Sequence, residues 1–171
     1  MDPFLTTARI HLRRLTQADL YDLYILNSDA EVMKYVGRPP LTSLGEAQLD
    51  LTRYLSYYRK FDHLGVWACI DKESGAFTGL ALLKKLEPTD ETEVGYRFHR
   101  SYWGKGIATE VCRALVTHGF DTAGLQKIVG ITHPDNIASQ KVLQKCGLSF
   151  ERVWLYQQIK VNYYSVYKRN L

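Results

Sequence analysis

No stretch of this chain of 171 residues has the length and low polarity of a membrane-spanning helix. The first residues, Met1 to Thr6, lack the basic stretch and apolar run of a secretory signal, so we expect a cytoplasmic protein. Cysteine is scarce and odd in number. Cys69, Cys112 and Cys146 each fall in a segment that reads as the buried part of a strand or helix, and they read as small core residues. None of the five histidines pairs with a cysteine at metal-ligand spacing, so no metal is expected. The formal net charge of +4 is spread along the chain without a basic tract, which argues against a nucleic-acid binder. Scattered positive charge still raises the local concentration of an anionic ligand. Repeats, low-complexity runs and linkers are also missing, so residues 1–171 read as a single domain with its core at about 8–168. There is no coiled-coil heptad, and a monomer or a homodimer fits equally.

What the chain does contain is an ordinary globular balance, 46% apolar and 23% charged. Ala8 to Leu15 reads as a strand. Thr16 with Asp19 resembles a capping box before Leu20, Leu23, Tyr24 and Leu26 at helical spacing, and Ser43 with Glu46 repeats the pattern before Ala47, Leu51, Tyr54, Leu55 and Tyr58. Val66 to Ile70, Phe77 to Leu86 and Glu91 to His99 form a meander of three strands. A helix follows from Gly106 to near Gly124, then a strand at Lys127 to Thr132 and a helix from Asn136 to Cys146. Two last strands cover Ser149 to Gln157 and Lys160 to Lys168. The order predicts an α+β fold with helices packed on a mixed sheet.

One junction stands out. In Tyr102-Trp103-Gly104-Lys105-Gly106-Ile107-Ala108-Thr109 two glycines sit where a strand ends and a helix begins. Amides at a helix start have no intrahelical partner and point at any anion placed there, and glycine lets the backbone approach it closely. Thr109 stands where a dinucleotide fingerprint needs its third glycine, and no Gly-Lys-Ser/Thr of a nucleotide P-loop is present.

Glu93-Val94-Gly95-Tyr96, then Tyr102 to Glu110, then Asn136-Ile137-Ala138-Ser139-Gln140-Lys141-Val142-Leu143-Gln144-Lys145-Cys146-Gly147-Leu148 resemble, in order and spacing, the GNAT superfamily of N-acetyltransferases. The likeness is greatest to the branch that includes the ribosomal-protein N-terminal acetyltransferases. It implies a mixed, mostly antiparallel sheet of about seven strands flanked by about four helices. It also implies acetyl-CoA as cofactor, with coenzyme A as product. By this resemblance Trp103, Gly104, Lys105, Gly106, Ile107, Ala108 and Thr109 cradle the pyrophosphate. The strand Gly95, Tyr96, Arg97 and Phe98 splays from its parallel neighbour and pairs with the pantetheine arm. Where the superfamily often has Gln or Arg, three residues before the first glycine, this chain has Ser101, which leaves Arg100 or Lys105 to supply charge.

Acetyl transfer to an amine needs a neutral amine, a polarised carbonyl and a proton for the leaving thiolate. Strand alternation puts Glu93, Gly95 and Arg97 on one face, and Glu93 is the candidate base. The alternative for Glu93 is a plain ion pair with Arg97 or a nearby lysine. Many family members donate the thiolate proton from a tyrosine, but Leu143 stands at that place; the ribosomal-type branch offers Ser139 instead, with Asn136 bonding the pantetheine. Helix capping is the competing role for Asn136. His133 is a weaker base candidate. The ribosomal-branch carboxylate on the following strand is missing at Tyr156-Gln157-Gln158. An α-amine, with a reference pKa near ~8 against ~10.4 for lysine, suits a weak base, which favours a protein or peptide N-terminus as acceptor. Tyr54, Tyr57, Tyr58, Tyr163, Tyr164 and Tyr167 are candidates for the acceptor wall or for core positions with a wet edge. A small amine such as a polyamine, amino sugar or antibiotic is the alternative, with Glu46, Asp50, Asp90 or Glu91 as its acidic contacts. A non-catalytic CoA-binding module is the third reading.

Overall fold

A computed structural model describes residues 3–170. Its eight strands are β1 (Leu5–Thr6), β2 (Ile10–Arg14), β3 (Gly65–Asp71), β4 (Phe77–Lys85), β5 (Thr92–Phe98), β6 (Lys127–Thr132), β7 (Ser149–Tyr156) and β8 (Ile159–Tyr167). Five helices accompany them: α1 (Leu20–Ser28), α2 (Ala30–Met33), α3 (Leu44–Tyr57), α4 (Ile107–Asp121) and α5 (Ile137–Lys145). The α+β class and mixed sheet are as the sequence predicts. Two elements exceed the expected seven strands and four helices, and both are too short to leave a periodic signal. β1 is two residues that pair with β2 at Leu5↔Leu12. α2 is one turn started by Asp29, whose carboxylate accepts the amides of Glu31 and Val32.

Period-two alternation in the meander divides the molecule into layers. Val66, Ala68 and Leu80 pack with Leu23, Leu26 and Leu51 under the first helices, while Trp67, Cys69, Ala81 and Leu83 pack with Val111, Cys112 and Leu115 under α4. Leu115 is fully buried, so truncating it to alanine should cost about 2–5 kcal/mol and loosen the helix that carries the glycine loop. The helix starts follow their caps. Ser43 Oγ accepts the Glu46 amide at 3.3 Å, and Asp19 accepts the Thr16 amide at 2.7 Å. Between Thr16 and α1 the chain first makes a 3₁₀ turn at Gln17–Asp19.

The sheet order is β1-β2-β3-β4-β5-β6-β8-β7, and only β5 and β6 run parallel, joined by the α4 crossover. Their pairing is confined to Glu93↔Val129. Beyond Glu93, β5 stays paired with β4 as far as Phe98 but leaves β6. The sheet therefore splits down the middle, and the split opens toward the glycine loop. Among the described residues no helix is long and apolar enough to cross a membrane.

Candidate active site

The loop after β5 is pinned before it is opened. Trp103 Nε1 donates to the Phe98 carbonyl at 2.8 Å, and the amides of Tyr102 and Trp103 bond the carbonyls of His99 and Arg100 in a 3₁₀ turn. Gly104 and Gly106 then take φ of +73° and +77°, a left-handed conformation that glycine adopts without strain. A Cβ on Gly104 would meet nothing within 4 Å, so it borders open space. The first bond of α4 runs from the Glu110 amide to the Gly106 carbonyl at 3.0 Å, which leaves the amides of Ile107, Ala108 and Thr109 at the positive end of the helix.

Residues far away in sequence brace this loop. Arg9 Nη1 donates to the Lys105 carbonyl at 2.9 Å, and its Nε bonds Glu110 at 2.7 Å. Glu110 also takes the Thr7 hydroxyl at 2.6 Å and the Arg9 amide at 2.8 Å. Burial works against the Glu110 charge, but these bonds from Thr7 and Arg9 outweigh it and hold the carboxyl below the usual range. Beside the loop lies a groove of about 600 Å³ lined by Arg9, Gly106, Thr109, Glu110, Arg113 and Lys145. With Glu110 engaged by Arg9, the groove offers Arg113 and Lys145 to an anion. Arg100 and Lys105 are exposed, the latter with its ammonium 5.8 Å from the Tyr102 ring. Nothing local marks Arg9 and Glu110 as partners, since their contact spans 101 positions.

Tyr96 and Ser139 meet across the split. Their hydroxyl oxygens are 3.3 Å apart, and the Tyr96 hydroxyl donates to the Ser139 carbonyl at 3.2 Å. Burial pushes the Tyr96 hydroxyl up, so it is a neutral donor. Asn136 caps α5, its Oδ1 accepting the Ser139 amide at 3.2 Å. The cap fixes Ser139 on the first turn. Leu143 is buried against Gly130 of β6, where an added Cβ would come within 2.7 Å of it. It is a packing residue.

Glu93 sits where the split begins and pairs with Lys84 of β4 at 2.7 Å, its side chain 14% exposed. The partner is thus Lys84 and not Arg97. Burial disfavours the Lys84 charge, yet Glu93 more than compensates and raises the ammonium above an ordinary lysine. Arg97 lies on the same face but turns toward the helices, donating to Asn27 Oδ1 of α1 at 2.5 Å and contacting Met33 Sδ of α2 at 3.2 Å. His133 stacks on Tyr35 with ring centroids 5.2 Å apart, and its Nδ1 accepts the Asp135 amide at 3.1 Å.

Several tyrosines turn out to be struts. Tyr58 bonds the Leu15 amide and the Val66 carbonyl, and burial pushes its hydroxyl up to about 12. Tyr163 and Tyr164 are core residues, 0% and 2% exposed. Three of the four acidic residues suggested for an acceptor pocket are already engaged. Asp50 is held by Arg38 and Arg53, Glu91 by Lys127 and Tyr163, and Glu46 by Thr42. Among the described residues no group of three or more His, Cys, Asp or Glu is placed to hold a metal ion.

Comparison with known proteins gives a consistent picture. A family model described as the acetyltransferase (GNAT) domain matches residues 9–149. The uncharacterized N-acetyltransferase YoaA of Bacillus subtilis (strain 168) is 28% identical over 176 residues, which cover 98% of this chain and 98% of YoaA. The FsC-acetyl coenzyme A-N(2)-transacetylase of Aspergillus fumigatus is 32% identical over 157 residues, covering 86% of this chain and 65% of that protein. The solved structure of RimL, the ribosomal L7/L12 alpha-N-protein acetyltransferase, in complex with coenzyme A shares the fold. Its TM-score is 0.83 at 18% identity, over 97% of this chain and 98% of that one.

Proposed function

Since the chain belongs to the GNAT acetyltransferase family and is an acetyl-CoA-dependent N-acetyltransferase, we propose that its acceptor is the α-amine of a protein or peptide N-terminus. Transfer is direct, within a ternary complex. The cofactor half of this reading is carried by the split in the sheet: β5 leaves β6 after Glu93, and the opening leads to the Gly104–Gly106 loop. The free strand edge and the unbonded amides suit a long, polar, phosphorylated arm. When bound, acetyl-CoA supplies an activated acetyl thioester.

The chain's own residues divide the remaining work. The amides from Gly104 to Thr109, with Trp103 and Lys105 beside them, hold the phosphates, and the edge of β5 from Gly95 to Phe98 holds the arm. Asn136 uses Oδ1 for its cap and keeps Nδ2 to donate to that arm. Glu93, positioned by Lys84, takes the amine proton directly or through water. Ser139, positioned by Asn136 and Tyr96, donates to the leaving sulfur. An α-amine loses its proton with far less help than a lysine amine, which fits a single carboxylate base. A polyamine would need several free acidic contacts, and of the four candidates Asp50, Glu91 and Glu46 are committed elsewhere, which leaves Asp90 alone.

Thiol release from acetyl-CoA against a panel tests the reading. The panel contains free-N-terminal peptides, N-acetylated lysine peptides, polyamines and aminoglycosides at several pH values. Turnover confined to free N-termini is the expected result; turnover of the polyamines or aminoglycosides alone would replace it with the small-amine reading.

A further inference from the structure

Arg97 presents a charge that makes no salt bridge among the described residues. It stands on β5, on the face shared by Glu93 and Gly95, and the groups its guanidinium bonds are neutral, Asn27 Oδ1, Met33 Sδ and the Tyr54 hydroxyl. A charge taken partly out of water is costly unless it is paired, and desolvation draws the guanidinium of the half-buried Arg97 below its ordinary value. The Asp50 carboxylate acts on it through space but is paired with Arg38 and Arg53. Three guanidinium groups therefore share one carboxylate.

A second unmet donor lies beside it. Asn27 is fully buried, its Oδ1 is occupied by Arg97, and its Nδ2 has no hydrogen-bond partner among the described residues. A buried donor left unsatisfied costs its desolvation, so a group of this kind calls for an acceptor. Both unmet groups are donors; the missing partner is an acceptor with negative charge. The planar fork of a guanidinium matches a carboxylate best.

We propose that Arg97, supported by Asn27, binds a carboxylate of the acceptor, so that this enzyme prefers N-termini with an acidic side chain close to the reacting amine. The proposal rests on the N-terminal acceptor reading and names the substrate class within it. Arg97 lies four residues along the strand from Glu93, about 13 Å at the rise of a β-strand. That separation suits an Asp or Glu within the first few residues of an extended peptide better than the α-carboxylate of a free amino acid.

The test uses the full-length protein, acetyl-CoA and peptides matched except for Asp, Asn or Lys at each of the first four positions, with free aspartate and glutamate as a separate arm. The acidic peptide should exceed its Asn counterpart by roughly 10- to 100-fold in kcat/KM, chiefly through KM, as one charge-assisted bond supports. Arg97→Gln should collapse that ratio toward one. Asn27→Asp guards against a merely misfolded variant: it gives Arg97 an internal carboxylate, so it should melt no lower than the parent and also lose the acidic preference. Equal turnover of Asp and Asn peptides by the parent overturns the proposal while leaving the N-terminal reading in place. Retention of the preference in either variant overturns the assignment to Arg97, and a lower melting point for Asn27→Asp refutes the unmet charge. Turnover of free aspartate or glutamate above every peptide refutes the peptide source. Turnover of no amine at all, with acetyl-CoA still raising the melting temperature, removes the acceptor reading and this proposal together.

Discussion

Replacing Gly104 by alanine separates what the loop does for folding from what it does for the cofactor. Gly104 and Gly124 have nearly the same backbone, with φ of +73° and +69°, and at both an added Cβ meets nothing within 4 Å. They lie beyond opposite ends of α4, whose 15 residues span about 22 Å. The strain of a left-handed alanine, about 1–2 kcal/mol, is partly offset by the ~0.4–1 kcal/mol that a stiffer unfolded chain returns. Each variant should therefore lose roughly 0.5–1.5 kcal/mol, or about 1–6 °C for a chain of this size. Only Gly104→Ala places a methyl group where the phosphates are expected. Loss of one charge-assisted amide bond would weaken acetyl-CoA about tenfold or more. At a concentration 100 times the parent's Kd, the ligand stabilises the parent by about 2.7 kcal/mol; tenfold weaker binding leaves about 1.4 kcal/mol. Melting curves with and without acetyl-CoA read both quantities. If Gly104→Ala keeps the full ligand-induced shift that Gly124→Ala shows, the loop does not hold the phosphates.

Other perturbations act on single links of the same chain. Glu93→Gln should lower kcat by on the order of 10²-fold and change the pH profile; unaltered activity across pH removes Glu93 from the mechanism. Ser139→Ala keeps the amide that bonds Asn136, so it should fold normally yet lose kcat, and full turnover would leave the sulfur without its assigned donor. Glu110→Ala frees Arg9 and Thr7 and should cost about 1–3 kcal/mol while raising the KM for acetyl-CoA, measured by melting and by initial rates. Burial works against the Asp50 charge, but Arg38 and Arg53 outweigh it and set the folded pKa below the unfolded ~3.9. The stability that Asp50 contributes is then present above pH ~4 and is lost as pH falls through the folded value. Asp50→Asn should melt lower at neutral pH and show a shallower fall in acid than the parent; an identical acid slope would contradict the assignment.

The features legible in the sequence are those that act over a few residues. Ser43 and Glu46 mark α3, Asn136 marks α5, and the two glycines mark the loop, because caps and left-handed turns are local chemistry. Alternation along the meander separates Val66 and Ala68 from Trp67 and Cys69 for the same reason. The strut role of Tyr58 is not local: it depends on Leu15, 43 positions away. Nor is the brace from Arg9 to the glycine loop, or the choice of Lys84 over Arg97 as the partner of Glu93, which requires knowing how β4 and β5 register. β1 and α2 escape because two and four residues cannot display a period. The Arg97 site escapes because strand alternation says which face a side chain takes but not which helices cover it.

One measurement addresses the central claim most directly. A peptide with a free N-terminus and an internal lysine is incubated with the protein and acetyl-CoA, and tandem mass spectrometry locates the acetyl group. We expect a single acetyl group on the α-amine, formed only when both protein and acetyl-CoA are present. Acetylation of the lysine side chain instead, or no acetylation of any peptide in a set that varies its first four residues, would contradict the account.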